Sequence, residues 1–144
     1  MEAMTVPGST ESLPRIREYV RQAAAEAGVD RKQAYRLELA VDEIATNVVN
    51  HGYREAGRHG DLAVSVSVDG GDFTVTLEDS AAPFDPRSVP RPSQLDLPLD
   101  ERPVGGLGIY LAMEGVDLFE YEYKHNRNRN KFTVRRGARG DLSD

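Results

Sequence analysis

The chain has 144 residues, a length that suits one domain with a single hydrophobic core. Its 18 basic and 24 acidic residues give a net charge of −6 without a long lysine or arginine run, which argues against a nucleic-acid partner. The absence of cysteine excludes disulfides and thiolate metal sites and favours a reducing compartment, so a cytoplasmic location is expected. With neither a signal-peptide pattern nor an apolar run near the roughly 20 residues that a membrane span needs, we expect a soluble protein.

Two helices are predicted in the first third of the chain. Apolar residues recur at helical spacing between Ser12 and Ala27, with Ser12 available as the N-cap and Gly28 as the terminator. Residues 31–51 repeat this pattern, and Gly52 is expected to end the second helix.

The apolar pattern then changes to a period of two, which predicts two β-hairpins and a short edge strand near the N-terminus. The predicted strands cover residues 4–6, 62–68, 73–78, 116–123 and 130–135. The sequence DGGD turns the first hairpin, and the polar segment KHNRNR is expected to link the strands of the second.

The segment 83–104 holds six of the eight prolines and shows little periodicity, which predicts a long irregular loop. Loops of this length in compact domains are usually functional, and a lid is typical. The sequence GGLGIYLAME at 105–114 follows as a glycine-rich turn that opens into a short helix. The order of elements predicts one α+β domain over residues 1–144, with helices on one face of a mostly antiparallel sheet.

Polar residues on the second predicted helix form the first candidate site. On a helical wheel Glu43, Asn47 and Asn50 fall in one arc beside the apolar stripe, and His51 lies at its border. A glutamate and an asparagine four residues apart can lie side by side, where the carboxylate accepts a proton and the amide oxygen suits Mg²⁺. A solvated helix surface would carry the same residues, so this pattern alone leaves both interpretations open.

Two further candidate sites follow along the chain, each with a structural alternative. Asp79 ends a predicted strand before a run of small residues, where it can accept a hydrogen bond from an exocyclic amine, or simply turn the chain together with Ser80. Gly105, Gly106 and Gly108 open a helix whose free N–H groups favour a phosphate, although a glycine hinge for the preceding loop explains them as well.

Taken in this order, the three sites resemble the GHKL ATPases, and most closely the small bacterial anti-sigma factor serine/threonine kinases. The matching stretches are EIATNVVNHG at 43–52, DSAAPFDP at 79–86 and GGLGIYL at 105–111. The likeness extends from about Pro7 to Arg136, nearly the whole chain.

The resemblance implies a Bergerat-type two-layer α/β sandwich with a mixed, mostly antiparallel sheet, and ATP bound between helices and sheet under a lid at 83–104. It implies that Glu43 is the general base, that Asn47 coordinates Mg²⁺ and that Asp79 binds the adenine amino group. The phosphates would be held by Gly105, Gly106 and Gly108.

The function implied by the resemblance is that of an ATP- and Mg²⁺-dependent serine/threonine kinase in a partner-switching system. It would phosphorylate a STAS-domain antagonist, bind that antagonist or a sigma factor, and form a homodimer. A non-catalytic ATP-binding module that sequesters a partner protein is the alternative, and a degenerate domain that binds no nucleotide is a third interpretation. No segment resembles the phospho-accepting helix of sensor kinases, which disfavours a free-standing histidine kinase.

Two positions depart from the family pattern. Ala81 stands where the first glycine box usually has glycine, so a backbone with positive φ would be strained there. The final strand, NKFTVRR, lacks the Gly-Thr pair of many relatives. By the resemblance, Thr133 on that strand could still contact the nucleotide, but it is not assigned to the site.

Overall fold

A computed structural model describes residues 1–88 and 106–136 of the chain. Its main elements in chain order are β1 Met4–Pro7, α1 Leu13–Glu26, α2 Arg31–Asn47, β2 Asp61–Asp69, β3 Asp72–Asp79, α3 Gly106–Glu114, β4 Leu118–Lys124 and β5 Arg127–Arg135. The chain also has 3₁₀ turns at Thr10–Ser12 and Pro86–Ser88, and a π-helical segment at Val48–Arg54.

The five strands form one sheet in the order β1-β2-β3-β5-β4, and all four neighbouring pairs are antiparallel. The predicted α+β fold and the predicted edge strand near residues 4–6 are therefore confirmed. The sheet is not mixed, because the described strands include no parallel pair. None of the helices that the structure describes is long and apolar enough to cross a membrane.

The hydrophobic core lies between one face of the sheet and the helices. Alternate strand residues point toward the helices, as the period of two predicts, and the most deeply buried are Leu62, Val64, Phe73, Val75, Leu77, Phe132 and Val134. Helix α2 is central, because it contacts α1, α3 and strands β3 and β5. Removing this apolar surface from water is the main driving force for folding, at roughly 25 cal/mol per Å².

The two ends of α1 differ from each other in how well the sequence predicts them. Gly28 has a φ of 74°, and the N–H of Val29 donates to the carbonyl of Ala24 at 3.0 Å, so the helix ends at a glycine as predicted. At the other end Ser12 is buried and belongs to the preceding 3₁₀ turn, and its side chain makes no capping hydrogen bond. Ser12 therefore stands at the N-cap position, as predicted, but its side chain does not cap the helix.

The second helix does not end at Gly52, because it continues as the π-helical segment Val48–Arg54. The N–H of Glu55 donates to the carbonyl of Asn50 at 2.9 Å, an i to i+5 bond of the π type. Gly52 has a packing role instead: a Cβ at this position would lie 2.9 Å from the Cβ of Ala81. Glycine therefore permits a close approach of helix and strand end, and the predicted stop is wrong.

The second hairpin turns at His125 and Asn126, whose φ angles are 55° and 61°. Two successive residues with positive φ make the tight two-residue turn that suits the twist of a hairpin. Strand β5 therefore begins at Arg127, and most of the segment KHNRNR, predicted as a linker, is strand. The prediction failed because asparagine is depleted in strands.

We predict that Gly52→Ala lowers the free energy of unfolding by roughly 1–3 kcal/mol, because the new methyl group must displace Ala81. Adding Ala81→Gly should restore most of this loss. Gly71→Ala is the control, since a Cβ there meets nothing within 4 Å. Urea unfolding of the single and double variants gives the coupling energy, and a value near zero would contradict the contact.

Candidate functional site

A cavity of about 270 Å³ opens between α2 with its π-helical extension and the ends of strands β3 and β5. It is lined by Ile44, Asn47, Val48, His51, Gly52, Ala56, Asp79, Ala81, Ala82, Pro83, Phe84, Pro86, Asn128 and Asn130. Most of these side chains are apolar, and a few polar groups converge among them, a combination that is typical of a small-molecule site. The structure thus brings Asn47 and Asp79, both predicted site residues, to one cavity.

Asp79 is the last residue of β3 and is only 1% exposed. Its Oδ1 accepts hydrogen bonds from the Nδ2 of Asn128 at 2.8 Å and from the N–H of Ala81 at 3.0 Å. Its buried Oδ2 has no hydrogen-bond partner among the described residues. Burial raises the pKa of Asp79, and the two hydrogen bonds only partly oppose it. Asp79 does turn the chain, as the structural alternative holds, but it also keeps one oxygen available to a ligand.

Asn128 holds this carboxylate in place from the neighbouring strand, where it lies directly opposite Asp79. Its Nδ2 also lies 3.1 Å from the carbonyl oxygen of Ala81, while its Oδ1 accepts the N–H of Phe84 at 3.0 Å and the hydroxyl of Tyr121. One buried amide therefore fixes the orientation of Asp79 and attaches the segment after β3 to the sheet. Asn128 is a positioning residue of this site.

Tyr53 holds the end of β3 from the helix side. Its hydroxyl accepts the N–H of Ser80 at 2.8 Å and donates to the carbonyl of Asp61 at 2.7 Å. The side chain is buried and comes from the π-helical segment, so this contact exists because the helix continues past Gly52.

Ala81 does not carry the strain that its departure from the family pattern predicts. Among the described residues other than glycine, positive φ angles occur only at His125 and Asn126. The methyl group of Ala81 instead packs closely against Gly52. An alanine fits here because the facing helix residue has no side chain.

Glu43 and Asn47 lie one turn apart on α2, as predicted, and both are half-buried. Asn47 lines the cavity, whereas Glu43 lies beside the first turn of α3, where a Cβ at Gly108 would overlap its carboxylate. Burial raises the pKa of Glu43, and the nearby negative charge of Asp42 raises it further. Glu43 is thus neither a core residue nor a freely solvated one, so the interpretation as a solvated helix surface does not fit it.

The glycine-rich segment is described in part. Gly106 and Gly108 belong to the first turn of α3, and the N–H of Gly115 donates to the carbonyl of Leu111 at 3.1 Å, where the helix ends. Gly105 and residues 89–104 of the predicted lid lie outside the described residues.

His51 lies at the rim of the cavity with an exposed ring, and its Nδ1 is 2.8 Å from the Oε1 of Glu55. The amide oxygen of Asn47, which lines the cavity, is a hard ligand of a kind that Mg²⁺ accepts, and Mg²⁺ usually takes few protein ligands and keeps water and phosphate oxygens. In the part of the chain that the structure describes, no three histidine, aspartate or glutamate side chains form a metal-binding group.

Sequence reasoning missed two cavity residues: it placed Asn128 in a linker, and it placed Asn130 at the start of the last strand without assigning it to the site. The missed signal was the alternation of asparagine with arginine and lysine in NRNRNK, a period of two that continues into the apolar part of β5. By the resemblance Thr133 could contact the nucleotide from this strand, but it faces the other side of the sheet and hydrogen-bonds to Thr74 at 2.8 Å. That expectation is wrong.

The sandwich, with its cavity between α2 and the end of β3, defines a domain of the GHKL ATPase class. Residues 6–136 match the family described as the histidine kinase-like ATPase domain, and the chain belongs to this family. Membership implies that the domain binds ATP.

Curated relatives include serine-protein kinases named RsbW. The protein from Bacillus thuringiensis (strain Al Hakam) is 26% identical over 111 residues, which is 75% of this chain and 68% of the relative. The protein from Bacillus anthracis (strain CDC 684 / NRRL 3495) is 27% identical over 111 residues, again 75% of this chain and 68% of the relative. The resemblance to the small serine kinases of the GHKL superfamily is confirmed.

Two solved structures share the fold. The RsbU and RsbW domains of a Mycobacterium tuberculosis protein match with a TM-score of 0.63 and 17% identity, over 94% of this chain and 32% of that chain. The kinase domain of a blue-light activated histidine kinase from Erythrobacter litoralis matches with a TM-score of 0.51 and 18% identity. This match covers 90% of this chain and 62% of that chain. The chain therefore spans about a third of the mycobacterial chain.

We predict that Asp79→Asn changes how stability depends on pH. Because burial raises the pKa of Asp79, the folded state binds this proton more tightly than the unfolded state does. The resulting stabilisation is complete below the pKa that an aspartate has in the unfolded chain, about 3.9. It is lost as the pH rises through the higher pKa that Asp79 has in the folded protein. The variant does not undergo this loss, so its free energy of unfolding relative to wild type should rise as the pH increases from about 4 through the pKa of Asp79 in the folded protein.

Urea unfolding at a series of pH values measures this difference. Asp69→Asn, at an exposed position on the same sheet, is the control for removing one carboxylate. If the difference in unfolding free energy between Asp79→Asn and wild type did not change with pH, the carboxylate of Asp79 would ionise in the folded protein as easily as in the unfolded one.

Proposed function

We propose that the chain is a protein serine/threonine kinase of the anti-sigma type, which transfers the γ-phosphoryl group of ATP to a STAS-class antagonist protein. The observation that supports this most directly is the position of Glu43. Its half-buried carboxylate lies one helical turn from Asn47 and therefore near the cavity that contains Asp79. A base and a nucleotide site close together are what phosphoryl transfer needs, since the reaction depends mainly on positioning.

Nucleotide binding would use the groups around the cavity. The free Oδ2 of Asp79 would accept a hydrogen bond from the adenine amino group, and apolar side chains such as Ile44 and Val48 would contact the ring. Asn47 would be a ligand of Mg²⁺, and backbone N–H groups at Gly105, Gly106 and Gly108 would hold the phosphates. The bound Mg²⁺ would neutralise phosphate charge during transfer.

Glu43 would act as the general base. The substrate hydroxyl oxygen forms a bond to the γ-phosphorus, the bond from that phosphorus to the bridging oxygen breaks, and ADP leaves. Glu43 accepts the hydroxyl proton and later releases it to water. A raised pKa suits this role, because it makes the carboxylate a stronger base at neutral pH. Asp42, which contributes to that raised pKa, is held by Arg17 at 2.9 Å.

The proposed partners are a STAS-domain antagonist as the phosphate acceptor and a sigma factor as the alternative binding partner, with the chain acting as a homodimer. Support comes from membership of the ATPase-domain family and from the similarity to RsbW serine-protein kinases. A non-catalytic module, in which bound ATP only stabilises a partner-binding shape, is the competing proposal. The half-buried Glu43 favours the kinase, because a pure binding module has no need of a base at this position.

We predict that Glu43→Gln lowers phosphoryl transfer at least about 100-fold, the lower range for loss of a general base, while ATP affinity stays within about twofold. Transfer is measured with γ-labelled ATP, Mg²⁺ and a purified STAS protein, and affinity by calorimetry. Glu26→Gln, an exposed carboxylate on α1, is the matched control and should behave as wild type.

The outcomes separate the proposals. Transfer retained by Glu43→Gln would exclude Glu43 as the base. A wild-type protein that binds ATP but phosphorylates no STAS protein would favour the non-catalytic module. Absence of ATP and ADP binding would exclude both and leave a degenerate domain.

A further inference from the structure

Asn130 is a buried polar residue that the proposed mechanism does not use. It lies on β5 opposite Leu77 and is 2% exposed. It lines the cavity, and its Oδ1 has no hydrogen-bond partner among the described residues. Buried polar atoms are nearly always paired, so an unpaired one at a cavity is a candidate contact for a ligand donor.

Asp79 supplies the second unpaired oxygen of the same cavity. In the described part of the chain, its Oδ2 and the Oδ1 of Asn130 are the two buried side-chain polar atoms without a partner. The two residues are diagonal neighbours, because Asp79 pairs with Asn128 and Asn130 follows two residues later on the same face. Diagonal neighbours are about 7–8 Å apart, so both side chains can reach one ligand group.

We propose that Asn130 is a specificity-determining residue that reads the purine base together with Asp79. Their two unpaired oxygens accept the two hydrogens of a 6-amino group. This inference rests on the proposed binding of ATP. A 6-oxo purine carries an oxygen at that position, so it would place an acceptor against two acceptors and lose both hydrogen bonds.

The neighbouring polar residues cannot take this role. Asn128 has its amide nitrogen and oxygen engaged by Asp79 and by the segment after β3, and Thr133 faces the opposite side of the sheet. An asparagine at 130 also adds an acceptor without adding a second negative charge near Asp79, whose ionisation burial already disfavours.

The test compares binding of ATP and inosine triphosphate, a 6-oxo purine nucleotide, by calorimetry with Mg²⁺ present. Wild type should prefer ATP. Asn130→Leu and the smaller Asn130→Val should each weaken ATP binding about tenfold, leave inosine triphosphate nearly unchanged and reduce the preference by the same factor. Thr76→Val, a buried change on the opposite face of β3, is the control and should keep both affinities.

Stability of the free protein provides a second measurement. Because the Oδ1 of Asn130 is unpaired without ligand, both variants should unfold at the wild-type urea concentration or higher. A structural role would instead destabilise the variants.

Equal weakening of both nucleotides would overturn the proposal, because the effect would then be on the shape of the cavity. A larger loss for inosine triphosphate would also overturn it, since the amide would be donating. A wild type that binds neither nucleotide overturns this inference together with the proposed function. A wild-type protein whose preference for ATP depends on Asn130, but which transfers no phosphate, would overturn only the proposed kinase activity.

Discussion

A carboxylate buried at the end of a strand is the constraint on which the site depends. Burying Asp79 is unfavourable unless hydrogen bonds compensate, and the chain supplies them from the neighbouring strand and from its own next turn. Those bonds engage one carboxylate oxygen and leave the other free. The surrounding packing keeps this arrangement, because Tyr53 holds the following residue, Ser80, and Gly52 leaves room for the methyl group of Ala81. Removing any of these contacts would weaken the packing and hydrogen bonding that keep the carboxylate of Asp79 buried.

The cavity therefore presents two buried acceptors that a ligand can pair. Leaving a buried acceptor unpaired typically costs about 1–3 kcal/mol. Under the proposed function, a nucleotide that donates to these oxygens would stabilise the folded state by pairing them and by mass action. Recognition of the base and stabilisation of the domain would then be the same interaction. Such a role would account for polar residues on strand positions that face the apolar core.

The sequence predicted the fold well where one periodicity covered a whole element. Helices α1 and α2 and the strands of the first hairpin have apolar residues at regular spacing, and their positions agree with the structure to within a few residues. The errors lie at ends and turns, where single contacts decide. A glycine at position 52 is typical of a helix end, but the helix continues past it. Glycine is needed there because Ala81 approaches too closely for a side chain.

The candidate site was predictable to the extent that it followed local motifs. Asn47 and Asp79 were found because their places on a helix and at a strand end are visible in the sequence. Asn128 and Asn130 were missed because their function depends on register, which brings them beside Asp79 and Leu77 from about fifty residues away. The alternation in NRNRNK shows which of these residues share one face of the strand, but it does not show which strand they lie beside.

The contact between Glu43 and α3 shows how one glycine can satisfy two requirements. As part of a phosphate-binding motif, Gly108 would be needed for its free backbone. The structure gives an independent steric reason, since any side chain there would overlap the Glu43 carboxylate. The raised pKa of Glu43 arises first from burial, and α3 packs against α2 where this carboxylate lies. The helix start proposed to hold phosphate thus lies directly against the proposed base, so a side chain at Gly108 would disturb both proposed functions.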